Sequence, residues 1–253
     1  MGATMSTAAE ARIGRVSPPS IDSSLAATLL PTVLSLIAGS VDTISFLGLG
    51  GLFAAHVTGN LVLLAAHLVA GEAAPIAAML SVPVFMVALA LARLLAGALE
   101  AIGLASLLPL LLLQLLLLAA LLILAISAGP RIDLDAANLI LAGMLGVSAM
   151  AVQNALVQIS LTGAPSTAVM TTNITRFMMD VGTLVSGRPA REVGNARRRA
   201  KRTWPAIAGF AVGSALGAVC EAALGLHSLE LPVGLALLAF GLGLLVKPAA
   251  GGC

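Results

Sequence analysis

The chain has 253 residues, 59% of them hydrophobic and only 9% charged, with a formal net charge of +2 and a mean hydropathy of +1.08. Soluble domains carry about 25% charged residues, so this composition excludes a water-coated globular protein, and so small a net charge makes no case for nucleic acid. Aromatic residues amount to 3% with no tyrosine, which excludes a barrel of alternating strands between aromatic girdles.

Lipid is then the main solvent, and the unbroken Leu- and Ala-rich runs leave closed helices as the way to satisfy the backbone. The predicted fold class is all-α, a polytopic transmembrane helical bundle. Residues 1–24 are polar and read as a disordered cytoplasmic tail, because the apolar run that follows is too long for a signal peptide. A crossing needs about 20 apolar residues. By that measure the segments are 25–49, 52–70, 75–96, 104–126, 136–160, 166–186, 204–226 and 231–246. The second is short and the sixth is polar, so either can be broken or re-entrant, and the count lies between six and eight.

Orientation follows from Lys and Arg in the connections. The one dense basic cluster runs from Arg188 to Arg202, within the loop 187–203. It places that loop in the cytoplasm, with Trp204 as an interfacial anchor. Eight crossings put the tail with Arg12 and Arg15, the Arg131 connection and the Lys247 end on that same side. Six crossings with two re-entrant segments also satisfy the rule. Both counts leave the N and C termini cytoplasmic.

An internal repeat is suggested by Val57-Thr58-Gly59-Asn60-Leu61 in one half and Met170-Thr171-Thr172-Asn173-Ile174 in the other. Each follows a helix with a polar centre, Asp42 or Gln153 and Asn154, and each precedes a helix opening on proline. With four helices per half, over 25–127 and 136–246, the repeats are expected to be parallel.

Polar groups at membrane depth are costly and persist facing protein or a wet cavity, so they are the candidate site. Asp42 reads as a proton or cation site, or as an acid near the end of a long helix. His56, Asn60 and His67 fall at intervals that place them on one helix face, as a polar lining or as interhelical glue. Metal binding is unattractive, because His56 and His67 would stand about 16 Å apart. Asn173, Arg176, Asp180 and Thr183 repeat the stripe. Arg176 and Asp180 are one turn apart and able to pair, structurally or as an anion-binding arginine with a releasable counter-charge. Gln153, Asn154 and Gln158 add amides. Gly209, Gly213 and Gly217 form a small-residue ridge for close packing within the chain, with a homo-oligomer face as the alternative. Cys220 and Cys253 suggest neither a disulfide framework nor a metal site.

The stretch Gly39-Ser40-Val41-Asp42-Thr43-Ile44-Ser45-Phe46-Leu47, then Gly50-Gly51-Leu52-Phe53 and Thr58-Gly59-Asn60-Leu61, resembles the YoaK-like family of bacterial membrane proteins, a domain of unknown function. Gln153-Asn154-Ala155-Leu156 and Pro165 to Thr171, ending at Thr175-Arg176, resemble it too. The resemblance implies a bacterial inner-membrane location and one central site containing Asp42, Thr58, Asn60, Asn154, Thr171 and Arg176. It supplies no activity.

The expected function is a small-molecule transporter or permease, secondary or passive since no ATP-binding motif is present. Its candidate site comprises Asp42, His56, Thr58, Asn60, Gln153, Asn154, Thr171, Asn173, Arg176 and Asp180, with no cofactor and no metal. The rival is a non-transporting scaffold, sensor or partner subunit. An intramembrane lipid-acting enzyme comes third, and the chain is not expected to be an enzyme, for no nucleophile elbow, P-loop or metalloprotease motif occurs.

Overall fold

Leu and Ala are strong helix formers, and in hydrocarbon a helix pairs its backbone groups within its own segment. The computed structural model describes residues 25–127 and 137–246 as an all-helical bundle. Its helices are α1 (Leu25–Gly48), α2 (Val57–Ala70), α3 (Ile76–Ala101), α4 (Leu107–Ser127), α5 (Ala137–Ser160), α6 (Met170–Val185), α7 (Ala190–Leu224) and α8 (Glu230–Leu245), with a 3-10 turn, Gly225–Leu229, before α8. The predicted tail, the Arg131 connection, and Lys247 and Cys253 lie outside the described residues.

Five helical stretches are long and apolar enough to cross a membrane, the last being Ala190–Leu245 with 56 residues. As one rod it would be ~84 Å long, far more than a bilayer core. It folds back at Gly225, whose φ of +57° is open to glycine at little cost. The result is six crossings: α1, α3, α4, α5, α7 and α8.

The directions of these crossings are fixed by side-chain rungs. Gln153 on α5 receives a hydrogen bond from Gln114 on α4 (2.7 Å) and donates to the carbonyl of Leu34 on α1 (2.9 Å). Seven residues earlier on α5, Gly146 faces both Leu121 of α4 and Ser45 of α1. Going down α5 therefore means going up both α4 and α1, so α1 and α4 are parallel and α5 opposes them. On α7, Gly209 meets Thr32, Gly213 meets Leu36 and Gly217 meets Ser40, so α7 runs parallel to α1. Gly243 near the end of α8 lies on Leu108 and Leu111 near the start of α4, so α8 opposes α4.

These senses leave no room for α2 or α6 as crossings. Were α2 a crossing, α4 would oppose α1. Were α6 one, α7 would run with α5. Helix α2 is short, with 14 residues, and α6, equal to α8 at 16 residues, differs from it in carrying Arg176 and Asp180 along its length. The six-crossing alternative therefore holds and the eight-crossing one does not. The expected parallel relation of the halves is corrected with it. Three crossings per half invert the second half, and α1 and α5, each 24 residues long, run in opposite directions. Helix starts at 25, 57, 76 and 107 correspond in order to starts at 137, 170, 190 and 230.

The halves interlock. Helix α1 packs on α7 and α8, while α5 packs on α3 and α4, so the first helix of each half sits among the crossings of the other. The Gly209–Gly213–Gly217 ridge is filled by α1 of the same chain, so it is not free to serve a second copy. Outward, the surface is apolar: Leu68, Val69, Leu94 and Val219 are all more than 60% exposed, as lipid-facing side chains should be.

Candidate functional site

The first site is built where the chain turns back after α1. Gly50 and Gly51 take φ of +69° and +80°, conformations open to glycine without strain, and reverse the chain immediately beyond the helix. The connection then descends alongside α1. Phe53 stacks on Phe46 at 4.7 Å between ring centroids, and residues 55 and 56 reach the level of Asp42. There the Asp42 carboxylate accepts from the backbone N–H of Ala55 (2.8 Å) and of His56 (3.2 Å) through Oδ1, and its Oδ2 lies 2.6 Å from His56 Nδ1. Asp42 is buried, whereas the His56 side chain is 37% exposed and meets the edge of Phe210 from α7.

Helix α2 begins at this depth and returns to the side from which the loop entered. Asn60, fully buried, locks the entry: its Oδ1 accepts from Phe53 N–H (2.9 Å) and its Nδ2 donates to Phe53 C=O (2.8 Å). One amide thus replaces a backbone partner for both polar groups of a loop residue that would otherwise go unpaired.

The second half repeats this device from the opposite side. Past α5 the chain turns at Gly163, with φ of +82°, and returns until Thr167 accepts a hydrogen bond from Gln153 Nε2 at 2.9 Å. Asn173 donates to Ser166 C=O, seven residues back, as Asn60 does to Phe53. The chemistry differs, however. Here the anchor is a neutral amide chain, Gln114 to Gln153 to Thr167, with each member at most 1% exposed. Gln114 Oε1 and Asn173 Oδ1 have no hydrogen-bond partner among the described residues.

Several expectations about the site need correction. Of the three residues expected on one face, Asn60 and His67 do share a face of α2, but His56 does not. His56 is the residue before α2, turned onto Asp42, and His67 pairs with Glu72 at 3.0 Å. Asp180 does not pair with Arg176. Its Oδ1 accepts from both Nε and Nη2 of Arg199, which α7 brings alongside α6 by running back along it. Asn154 donates to Met150 C=O on its own helix, and Thr58 and Thr171 are exposed. Arg176 opens into a cleft of about 410 Å³ between α6 and α7, lined also by Met179, Asp180, Arg199 and Arg202. Asp42 and His56 are not among its walls. The ten predicted residues therefore do not form one pocket: seven divide between the two loop anchors and this cleft, and Thr58, Asn154 and Thr171 belong to none of the three.

Sequence reasoning passed over Gln114 and Thr167 as site residues, and it assigned Arg199 and Arg202 to a topology-setting loop over 187–203, whereas both lie on α7. Gln114 carried a signal, being a lone amide in the leucine run of α4. Among the described residues no three His, Cys, Asp or Glu side chains gather as a metal group would require.

An inverted pair of three-crossing units, each with a re-entrant loop and a half-length helix, defines a multi-pass membrane protein whose backbone breaks at depth only where protein covers it. The family model for a protein of unknown function, DUF1275, matches residues 30–242. The chain belongs to that family. No curated protein and no solved structure matches it.

Proposed function

We propose that the chain is a small-molecule transporter or permease, secondary or passive, whose polar path lies where the two re-entrant loops enter the bundle. The observation that carries this reading is the inverted pair of half-length helices, α2 and α6, each beginning inside the bundle from an opposite side. Interrupted helices of inverted repeats are where transporters bind substrate and coupling ions. A loop held by one carboxylate is also a natural switch. Asp42 holds the tip through two N–H groups and one ring nitrogen. Neutralising the Asp42 carboxylate, as Asp42→Asn does, removes the charge that makes those bonds strong and frees the tip to move. Asp42 with His56 is thus the coupling pair.

Membrane location and orientation belong to the same proposal. With six crossings, the basic stretch Arg188 to Arg202, the N-terminal tail and the Lys247 end fall on one side. That side is the cytoplasm by the positive-inside rule, in a bacterial inner membrane. The finer kinship to YoaK-like proteins is consistent with this placement.

Uptake of metabolite mixtures into proteoliposomes tests the reading, comparing wild-type with Asp42→Asn protein. Wild-type flux is expected to depend on pH, and the variant to lose at least tenfold and the pH dependence with it. Equal, pH-independent flux from both would remove Asp42 from the mechanism. The scaffold reading keeps one observation in its favour, the fully packed Gln114–Gln153–Thr167 chain, which is what helix glue looks like. Absence of flux for every metabolite class would favour it.

A further inference from the structure

The cleft between α6 and α7 is not explained by the loop anchors. Three guanidiniums, Arg176, Arg199 and Arg202, face a single carboxylate, Asp180. Each guanidinium carries five N–H donors. Arg199 spends two on Asp180 and Arg202 spends one on Gly163 C=O at 2.8 Å. Arg176 makes no ion pair or hydrogen bond among the described residues and is exposed. The hydroxyls of Thr175 and Thr203 on the walls are already donated to carbonyls of their own helices. What the cleft offers is therefore guanidinium donors with uncompensated positive charge.

We infer that this cleft is a binding site for a phosphate-bearing group, held in the fork of Arg176 with Arg199 and Arg202 completing the clamp. Planar guanidinium donors fit phosphate oxygens in pairs, and the excess of positive charge suits a mono- or dianion. Asp180 keeps Arg199 extended across the cleft rather than free in solution, so one arm of the clamp is positioned before the anion arrives. A volume of about 410 Å³ lies within the range of small-molecule sites, ~300–1,000 Å³, and exceeds the needs of the phosphate alone. The remaining space lies against Met179, whose apolar side chain is exposed, so the carrier of the phosphate has an apolar part. A phospholipid headgroup and a soluble phosphorylated metabolite both meet this description.

The inference does not rest on the transport reading, because binding is measured without a gradient. Full-length protein is melted in detergent with inorganic phosphate or with chloride at equal ionic strength. It is also melted in nanodiscs of phosphatidylcholine with or without phosphatidylglycerol. A saturable rise in Tm is expected with phosphate, with phosphatidylglycerol, or with both. Arg176→Gln should weaken the apparent affinity about tenfold and Arg176→Lys by less, since lysine keeps the charge but loses the fork. Arg197→Gln, an exposed cation outside the cleft, should change nothing. A response to phosphatidylglycerol alone identifies a lipid headgroup, and a response to phosphate alone a soluble ligand. Equal melting in phosphate and chloride with no lipid effect overturns the inference, as does an Arg197→Gln loss matching that of Arg176→Gln. Because Arg176 holds no structural contact, its variants are expected to melt like wild type without ligand.

Discussion

The six-crossing arrangement depends most on the seam between α1 and α7, and Gly213→Ala tests that seam directly. A Cβ at position 213 would fall on the carbonyl group of Leu36, with the backbone carbon and Cα of Leu36 both 2.9 Å away. Carbon atoms rest at about 3.5–4.0 Å, so α1 must retreat by close to an ångström. No side chain can swing aside, because the obstacle is backbone. A gap of that size forfeits about a quarter to a half of each contact it opens, and it opens the neighbouring contacts at Gly209 and Gly217 as well. Overpacking of this kind costs about 1–3 kcal/mol, and a backbone obstacle places the cost near 3. For a folded unit of this size that amounts to a fall in Tm of about 6–12 °C, read by thermal unfolding of purified protein in mild detergent. Gly241→Ala on α8 is the control: a Cβ there meets nothing within 4 Å, and the variant should melt at or slightly above wild type. If Gly213→Ala melted like that control, the close parallel contact would not exist and the crossing directions argued from it would fall.

Topology has its own test: with native cysteines replaced, Glu72→Cys and His227→Cys should be labelled by an impermeant thiol reagent from one face of the membrane, and Arg191→Cys from the other. Eight crossings require residues 72 and 227 on opposite faces. The two loop-entry asparagines should differ in cost. Asn60→Ala removes both partners of Phe53 and should cost about 2–3 kcal/mol, whereas Asn173→Ala removes one bond from Ser166 and should cost about 1, compared by the same melts. Gln153→Leu leaves Gln114 and Thr167 without their partner and should destabilise by about 2–3 kcal/mol. The double variant Gln114→Leu with Gln153→Leu should recover part of that loss, and a double variant worse than the single would refute the account of this amide chain.

Hydropathy was enough to find the helices, because a leucine run such as Leu110 to Leu124 has no soluble alternative. It also marked α2 as short and α6 as polar, the two segments that prove not to cross. What it could not supply was the sense of the second half, since counting apolar residues says nothing about which helix lies beside which. The rungs through Gln153 and Gly146 decide that, and they join residues far apart in sequence. Local spacing rules failed for a related reason. Position i+4 offered Asp180 as partner for Arg176, but the α6–α7 hairpin delivers Arg199 instead. The same rule placed His56 on a helix face, while the loop bonded to Asp42 makes it the residue before the helix. Asn60 and Asn173 were legible as a matched pair, but their shared task of bonding the backbone seven residues back became visible only with the loops in place.

The interlocking of the halves has a consequence for how the protein is made. Helix α1 leaves the ribosome well before α7 and α8, the helices that cover its small-residue face. Until then the face of α1 that meets them stands in lipid, or against whatever insertion machinery holds it, although Asp42 already has its partners in the loop of its own half. Assembly therefore cannot proceed half by half, and a chain cut after α4 would carry an unpartnered first helix into the membrane. Synthesis of α8 is the event that closes the bundle around α1.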